Sequence, residues 1–432
     1  MEYLSIKEAM EKGEGPVSVR GWVYRERGSK KLKFIVLRDS TNIIQCVLAR
    51  GDLGDEKFDI VDKVQVEASM EIHGDIKKDE RAPSGYEILV KDFNVVGESD
   101  QFPIAADQSR EFLDNNRHLW LRSRKMVAMM KIRSTYVQER ELFFKDEGFY
   151  RFDSPILQAM QSEGGNTVFE VKYYGNKTYL AQTWQLFAEP AIFALEKIYN
   201  TGPTFRAEKS KTSRHLSEFW MVEMEAAWFD LHMVTEFAKK ELKHCIKKVC
   251  ERNAEELKIL GQDPEELLAI CEKEWPTIKY REALKILKEK SGMDVPFGKD
   301  LRTVEEEKIM EHFDVPVVVT HYPVSVMAFY KPRDPEVNDE ALCFDMLAPK
   351  GFGEIVGGSE RSLDVEDMKE RLKADGEEDL EPYEFYFDTR KYGSVPHSGY
   401  GVGLERVIRW ICGLDNIKDA IPFPRTVTRW KP

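Results

Sequence analysis

The sequence predicts an α+β protein built in two parts, on three observations. Residues 16–98 hold five short segments that alternate apolar and polar residues between turn residues. Beyond them, helical and strand-like segments follow in blocks without regular βαβ alternation, which favours an antiparallel sheet flanked by helices. The 432 residues suit two or three domains.

The five N-terminal segments are PVSVRGWVYRER, LKFIVLRDS, NIIQCVLAR, VQVEASMEIHGDI and YEILVKDFNVVG. Turn chemistry separates them, as in Asp39-Ser40-Thr41-Asn42 and Ala82-Pro83-Ser84-Gly85. Five such strands suit a small barrel or sandwich. A barrel with a basic, aromatic-bearing face has the look of an oligonucleotide-binding fold, and any small β module fits the pattern equally. A polar linker follows, and a helix is expected from Ser123 to Lys145. GFYRFDSPIL reads as extended chain entering a turn at Pro155. FEVKYYGNKTYLAQ reads as a hairpin around Gly175-Asn176, and QLFAEPAIFALEKIY as a helix. Residues 235–275 and 280–312 read as charged, peripheral helices. Strands return at VPVVVTHYP, ALCFDML and GEIVGGS. The expected domains are 1–100, a hinge at 101–125, and 126–432.

Composition narrows the function. Hydrophobic content of 42% and charged content of 33% are those of a soluble globular chain. No apolar run approaches the roughly 20 residues that a membrane span needs. The N-terminal stretch is acidic and mixed, so a cytoplasmic location is expected. Six cysteines form no CxxC or zinc spacing and read as reduced, buried thiols. A net charge of −13 argues against indiscriminate nucleic-acid binding. Yet Arg20 to Arg38 carries seven cations against one anion, Glu26, a basic patch in an acidic chain.

Two stretches carry chemistry. FRAEKSKTSRHLSEF (205–219) sets Arg206, Glu208, Arg214, His215 and Glu218 between apolar flanks. It reads as a hairpin, with one strand ending near Glu208 and the other returning from Arg214. A solvated hairpin with ion pairs fits, and so does a face that holds a polyanion, because Arg binds phosphate oxygens bidentately. HSGYGVGLERVIRW (397–410) spaces Gly399, Gly401 and Gly403 before Glu405, Arg406 and a helix. It lacks the last glycine of a dinucleotide fingerprint, and no P-loop occurs in the chain. The glycines let a strand approach another backbone or a ligand.

Together with GFYRFDSPIL, these stretches resemble the three motifs of class II aminoacyl-tRNA synthetases: an extended segment ending in proline, FRxE-loop-RHxxEF, and GxGxGxER followed by FPRT at 423–426. FIVLRDSTNIIQ, RHLWLRS and SEGGNTVF are similar to segments of the aspartyl/asparaginyl/lysyl subgroup, with Asn42 where glycine is usual. GEIVGGSER and RKYGSVPHSGYG resemble archaeal and eukaryotic asparaginyl enzymes. The resemblance covers essentially the whole chain. It implies an oligonucleotide-binding anticodon barrel, an antiparallel-sheet catalytic domain, and a homodimer. It also implies ATP and Mg2+ as cofactors and tRNA(Asn) and L-asparagine as partners.

The resemblance also implies roles. Arg206 would hold the α-phosphate and the amino-acid carboxylate, and Glu208 would contact adenine. Arg214 and His215 would grip the β- and γ-phosphates. Phe219 and Arg406 would sandwich adenine, with Leu216 and Gly403 completing the nucleotide site. Asp345 and Glu354 are the metal candidates, nine positions apart, a longer gap than aspartyl enzymes keep. Glu163 and Gln185 would take the α-ammonium, and Arg361 the side-chain carbonyl. Aspartyl enzymes carry a lysine where this chain has Ala188. The next residue, Glu189, is expected to accept from an asparagine amide and repel aspartate. Trp184 stands where a small residue is usual. In the barrel, Phe34 and Gln45, eleven positions apart, would stack on and read an anticodon base, with Arg25, Arg27 and Arg38 on its backbone. The implied activity is asparagine–tRNA ligation. An aspartyl synthetase, an asparagine synthetase-like paralogue and an inactive RNA-binding relative are the alternatives.

Overall fold

Alternation curls the first five strands into a closed barrel. In the computed structural model, which describes residues 2–105, 108–162, 167–210 and 212–431, β1 (Gly15–Ser29), β2 (Leu32–Arg38), β3 (Ile43–Ala49), β4 (Ser69–Lys78) and β5 (Tyr86–Gly97) close in the order β1-β2-β3-β5-β4. On β2, Lys33, Ile35 and Leu37 are buried while Phe34, Val36 and Arg38 face outward. Ile35, Leu37, Ile44, Cys46, Ile72 and Ile88 fill the interior. The fourth strand starts later than the sequence suggests. Glu67 adopts a left-handed backbone (φ 70°) and gives its carboxylate to Arg38 at 2.9 Å, so pairing begins only at Ser69.

The chain divides into two units, Met1–Asn115 and Asn116–Pro432, and the segment read as a hinge spans that division. The second unit carries an eight-stranded sheet. Its strands are β6 (Tyr150–Arg151), β10 (Lys197–Phe205), β11 (Glu218–Ala227), β12 (Thr277–Lys279), β13 (Val317–Thr320), β14 (Cys343–Ala348), β15 (Gly353–Glu360) and β16 (His397–Gly403), in the order β12-β13-β14-β15-β16-β11-β10-β6. The inner pairings are antiparallel, as expected, and both edge pairings are parallel. A small sheet joins β7 (Leu157–Gln158), β8 (Glu170–Tyr173) and β9 (Asn176–Leu180). Its hairpin turns at Tyr174 and Gly175, both at positive φ.

Helix Arg124–Asp146 is capped by Ser123, whose Oγ accepts from Met126 N–H. Helix Leu231–Arg252 is not peripheral, contrary to expectation. Its Val234, Phe237, Ala238, Leu242, Cys245 and Val249 pack in one core with sheet residues Val222, Met224, Val356 and Val402. Its five lysines between Lys239 and Lys248 obscure an apolar stripe at helical spacing. All six cysteines are buried and unbridged.

Candidate active site

The strand pair β10–β11 is shorter than its sequence suggests. β10 ends at Phe205 and β11 begins at Glu218, with Arg206 N–H donating to Ser217 O at 3.0 Å across the mouth. Arg206, Glu208, Arg214 and His215 therefore stand on the connecting loop, not on strand faces. That loop roofs a cavity of about 300 Å³ floored by β11, β14, β15 and β16.

Every residue expected at the nucleotide site lines this cavity: Arg206, Glu208, Arg214, His215, Leu216, Phe219, Glu354, Gly403 and Arg406. The Arg206 guanidinium lies over the Phe219 ring at 5.6 Å, and its buried Nε has no hydrogen-bond partner among the described residues. Arg406 donates to Glu354 Oε2 at 2.8 Å and to the Glu354 carbonyl at 3.2 Å. Arg214 reaches Glu306, Glu307 at 2.7 Å and the Gly351 carbonyl. His215 Nδ1 meets Ser210 and Thr212 hydroxyls, and burial followed by the charge of Arg406 lowers its pKa.

Asp345 and Glu354 converge. A Cβ on Gly357 would stand 3.4 Å from both Asp345 Oδ1 and Glu354 Oε1, so the glycine keeps the space beside both carboxylates free of a side chain. Burial and then the Glu354 charge push the Asp345 carboxyl well above its usual pKa. Glu354 goes the other way: burial opposes its charge, but Arg406 outweighs it. Two carboxylate oxygens side by side, of which only Glu354 holds an arginine, are the donor type a hard divalent cation takes.

Farther in, Arg361 is locked to a carboxylate that the motif comparison had not assigned. Its Nε donates to Glu225 at 3.1 and 3.2 Å, a terminal nitrogen donates to the same group, and the other terminal nitrogen donates to Ser359 Oγ at 2.7 Å. Gly399 makes the room, because a Cβ there would collide with the Glu225 carboxylate. Burial raises the Glu225 pKa to about 7, with Arg361 pulling it down and Glu189 pushing it up. Gln185 also lines the cavity. Glu223 lies beside it, accepting from the Thr183 hydroxyl and from Trp184 N–H at 3.1 Å.

One expectation needs correction, and one falls elsewhere. Glu189 does not face the cavity. It is fully buried behind it and accepts from Gln185 at 2.9 Å, Tyr386 at 2.8 Å, Arg390 and His397. Trp184, at the position where a small residue is usual, packs away from the cavity with Ala188, Ile192 and Ile198, its indole N–H bonded to Phe152 O at 2.7 Å. Glu163 lies outside the described residues. Sequence reasoning also passed over Glu223 and Glu225. Their signal was period-two spacing on β11, which puts them on one face with Met221. Asp300 and Lys331 line the cavity too, but arrive from distant segments with no motif.

In the barrel, strand register sets the expected anticodon residues in rows on one face. Arg27 pairs with Phe34, and Phe34 with Val47. Arg25 pairs with Val36, and Val36 with Gln45. Trp22 pairs with Arg38. Arg27 lies 5.2 Å over Phe34. Gln45 is buried and donates to Glu87 at 3.0 Å. Trp22, 45% exposed, joins this face unpredicted.

A model of the class II tRNA synthetases (D, K and N) matches residues 109–427, and one of the OB-fold nucleic acid binding domain matches residues 17–96. The chain belongs to the class II tRNA synthetases of the D, K and N group. The synthetase is 44% identical to an asparagine–tRNA ligase of Thermoplasma acidophilum, across 99% of this chain and 100% of the relative. It is 41% identical to one of Lactobacillus johnsonii, with both chains fully covered. A crystal structure of the asparaginyl-tRNA synthetase from Pyrococcus horikoshii complexed with asparaginyl-adenylate superposes with a TM-score of 0.95 at 39% identity, both chains fully covered. The D, K and N synthetase thus carries its anticodon-type barrel and its catalytic sheet in one chain.

Proposed function

We infer that this synthetase activates L-asparagine with ATP to asparaginyl-adenylate and transfers the asparaginyl group to tRNA(Asn). The observation that carries the amino-acid choice is Arg361 forked to Glu225 in the cavity, with Ala188 where aspartyl enzymes carry a lysine. Arg361 would donate to the side-chain carbonyl and Glu225 would accept from the amide nitrogen. Aspartate would set a second acceptor against Glu225, a repulsive contact in a buried site. The full-length asparagine–tRNA ligase relatives support the same reading.

In the first step, the already ionised carboxylate of asparagine attacks the α-phosphorus. The bond from that phosphorus to the bridging oxygen breaks, and pyrophosphate leaves with the electron pair. No proton moves, so positioning and charge neutralisation carry the rate. Arg206, whose buried Nε is unpartnered among the described residues, takes the α-phosphate. Arg214 exchanges its Glu306 and Glu307 partners for the outer phosphates, beside His215. Phe219 and Arg406 hold adenine, with Glu208 near its amino group. Gln185 and Glu163 take the α-ammonium. Asp345 and Glu354 would hold Mg2+, which supplies further neutralisation of the triphosphate. In the second step a terminal ribose hydroxyl of the tRNA attacks the acyl carbon, the acyl–oxygen bond to the phosphate breaks, and AMP leaves with that oxygen as the hydroxyl proton passes to its phosphate.

The anticodon meets the barrel face of Arg25, Arg27, Phe34, Arg38 and Gln45. Exposed Leu142 (50%), Tyr150 (59%) and Ile156 (42%) around the first motif support a homodimer. Light scattering at the dimer mass is the expected result, and the monomer mass would remove that assignment. The absence of any described helix long and apolar enough to cross a membrane is compatible with work in the cytoplasm. Charging of tRNA(Asn) with labelled asparagine tests the function; charging with aspartate alone would overturn it.

A further inference from the structure

The group behind the pocket has no part in the chemistry above. Arg390 follows the short helix Glu384–Asp388 and is 201 residues from Glu189 in the chain, yet its guanidinium donates to the Glu189 carboxylate. Its remaining donors are taken as well. Nε bonds Ser362 O at 3.1 Å, one terminal nitrogen bonds Thr389 Oγ1 at 2.8 Å, and the other also bonds Tyr386 Oη at 2.9 Å. The guanidinium lies 4.1 Å over the Tyr386 ring. Its side chain is only 1% exposed, and Arg390 does not line the cavity.

His397 completes the clamp. Its Nδ1 faces the Val395 carbonyl at 2.8 Å, and its Nε2 faces Glu189 at 2.9 Å. Glu189 transmits the clamp forward: it accepts from Gln185 and stands 3.8 Å from Arg361 Nε. Arg390 and His397 also brace the backbone beside Arg361, at Ser362 O and through Arg361 N–H to His397 O at 2.9 Å.

We propose that Arg390 is a positioning residue for amino-acid recognition, acting through Glu189 on Gln185 and Arg361. The proposal rests on reading Arg361 and Glu225 as the amino-acid pocket. A buried carboxylate without its cation is costly. Without Arg390, Glu189 would lean on the neighbours left to it, His397 at 2.9 Å and Arg361 at 3.8 Å, and Arg361 is the fixed cation of the two. Arg361 would then be drawn from Glu225, and asparagine binding would weaken while the ATP end of the cavity stays as it is. Removing the Glu189 charge as well would take away that pull.

The experiment is ATP–pyrophosphate exchange on the full-length enzyme, with KM for asparagine and for ATP measured separately. Arg390→Met is expected to raise KM for asparagine roughly tenfold or more while KM for ATP stays within about twofold. Glu189→Gln/Arg390→Met should bind asparagine more tightly than Arg390→Met alone, and Arg390→Lys should fall between wild type and Met. If Arg390→Met does not fold, the double variant and Arg390→Lys carry the same comparison. An unchanged asparagine KM, or equal losses for asparagine and ATP, would overturn the proposal. So would a double variant no better than the single one. Arg361→Lys separates the two layers. If it leaves asparagine KM unchanged, the pocket reading fails. If it raises that KM while Arg390→Met does not, only the positioning role fails.

Discussion

Arg361 and Glu225 face each other inside the cavity as a fork, with the Arg361 Nε 3.1 Å from a Glu225 oxygen and Gly399 providing the space behind that carboxylate. One donor group and one acceptor group side by side match a carboxamide, which presents a carbonyl and an NH2. Glu225→Gln keeps the shape and removes the fixed acceptor charge. It is expected to cost about 1.5–3 kcal/mol in asparagine binding, a roughly ten- to hundredfold rise in KM, and to narrow the preference over aspartate. Exchange kinetics with both amino acids check this, and an unaltered preference would remove Glu225 from the discrimination.

The preference should depend on pH. Burial raises the Glu225 pKa to about 7. Above that value the carboxylate is ionised and repels an aspartate side chain. Below it, the protonated group can donate to that side chain. The ratio of asparagine to aspartate exchange should therefore rise as pH increases from about 6 to about 8. A ratio flat across that range, with the enzyme folded throughout, would contradict the assignment.

Asp345→Asn should alter metal demand more than nucleotide affinity. The change removes one of two converging oxygen charges, while Glu354 keeps its Arg406 partner. Magnesium titration of the exchange rate is expected to shift to a concentration roughly tenfold higher or more. An unmoved magnesium curve would take Asp345 out of the metal site.

Barrel substitutions should act on tRNA alone. Phe34→Ala and Trp22→Ala are expected to raise KM for tRNA, with a loss of about 1–3 kcal/mol for each stacked base. Tryptophan and phenylalanine both lie on the face that carries Arg25 and Arg27. Asparagine-dependent pyrophosphate exchange without tRNA should not change. Equal charging kinetics in wild type and variants would show that this face does not read the anticodon.

Trp184→Ala should be a stability variant. The side chain is buried with Ala188, Ile192 and Ile198, away from the cavity. Denaturant unfolding should show a loss of about 3–5 kcal/mol. A change in amino-acid preference with stability intact would reverse this reading.

That the residues of the proposed nucleotide end meet in one cavity was legible because they lie in short, contiguous patterns. Arg206 and Phe219 bracket one loop, and Gly403 and Arg406 share one strand-to-helix junction. The converging pair Asp345 and Glu354 was legible as well, since both sit on adjacent strands. The amino-acid end was less so. Glu189 reads as a helix residue next to the right position, and nothing local shows that Tyr386, Arg390 and His397 close over it. Glu225 was visible only as one of several acids on a hairpin, because its meaning comes from Arg361, 136 residues later. In the fold, alternation located the barrel strands, but a single left-handed residue, Glu67, set where the fourth begins. Helix Leu231–Arg252 was misjudged because its five lysines interrupt the buried stripe along the sequence.

The most direct measurement is ATP–pyrophosphate exchange by the purified enzyme with asparagine and with aspartate in separate assays near pH 8. The account predicts robust exchange with asparagine and at least a hundredfold less with aspartate, on the scale of a site whose polar groups match only one of two near-isosteres. Exchange with aspartate at an equal or higher rate would contradict the Arg361–Glu225 reading and the asparagine assignment with it.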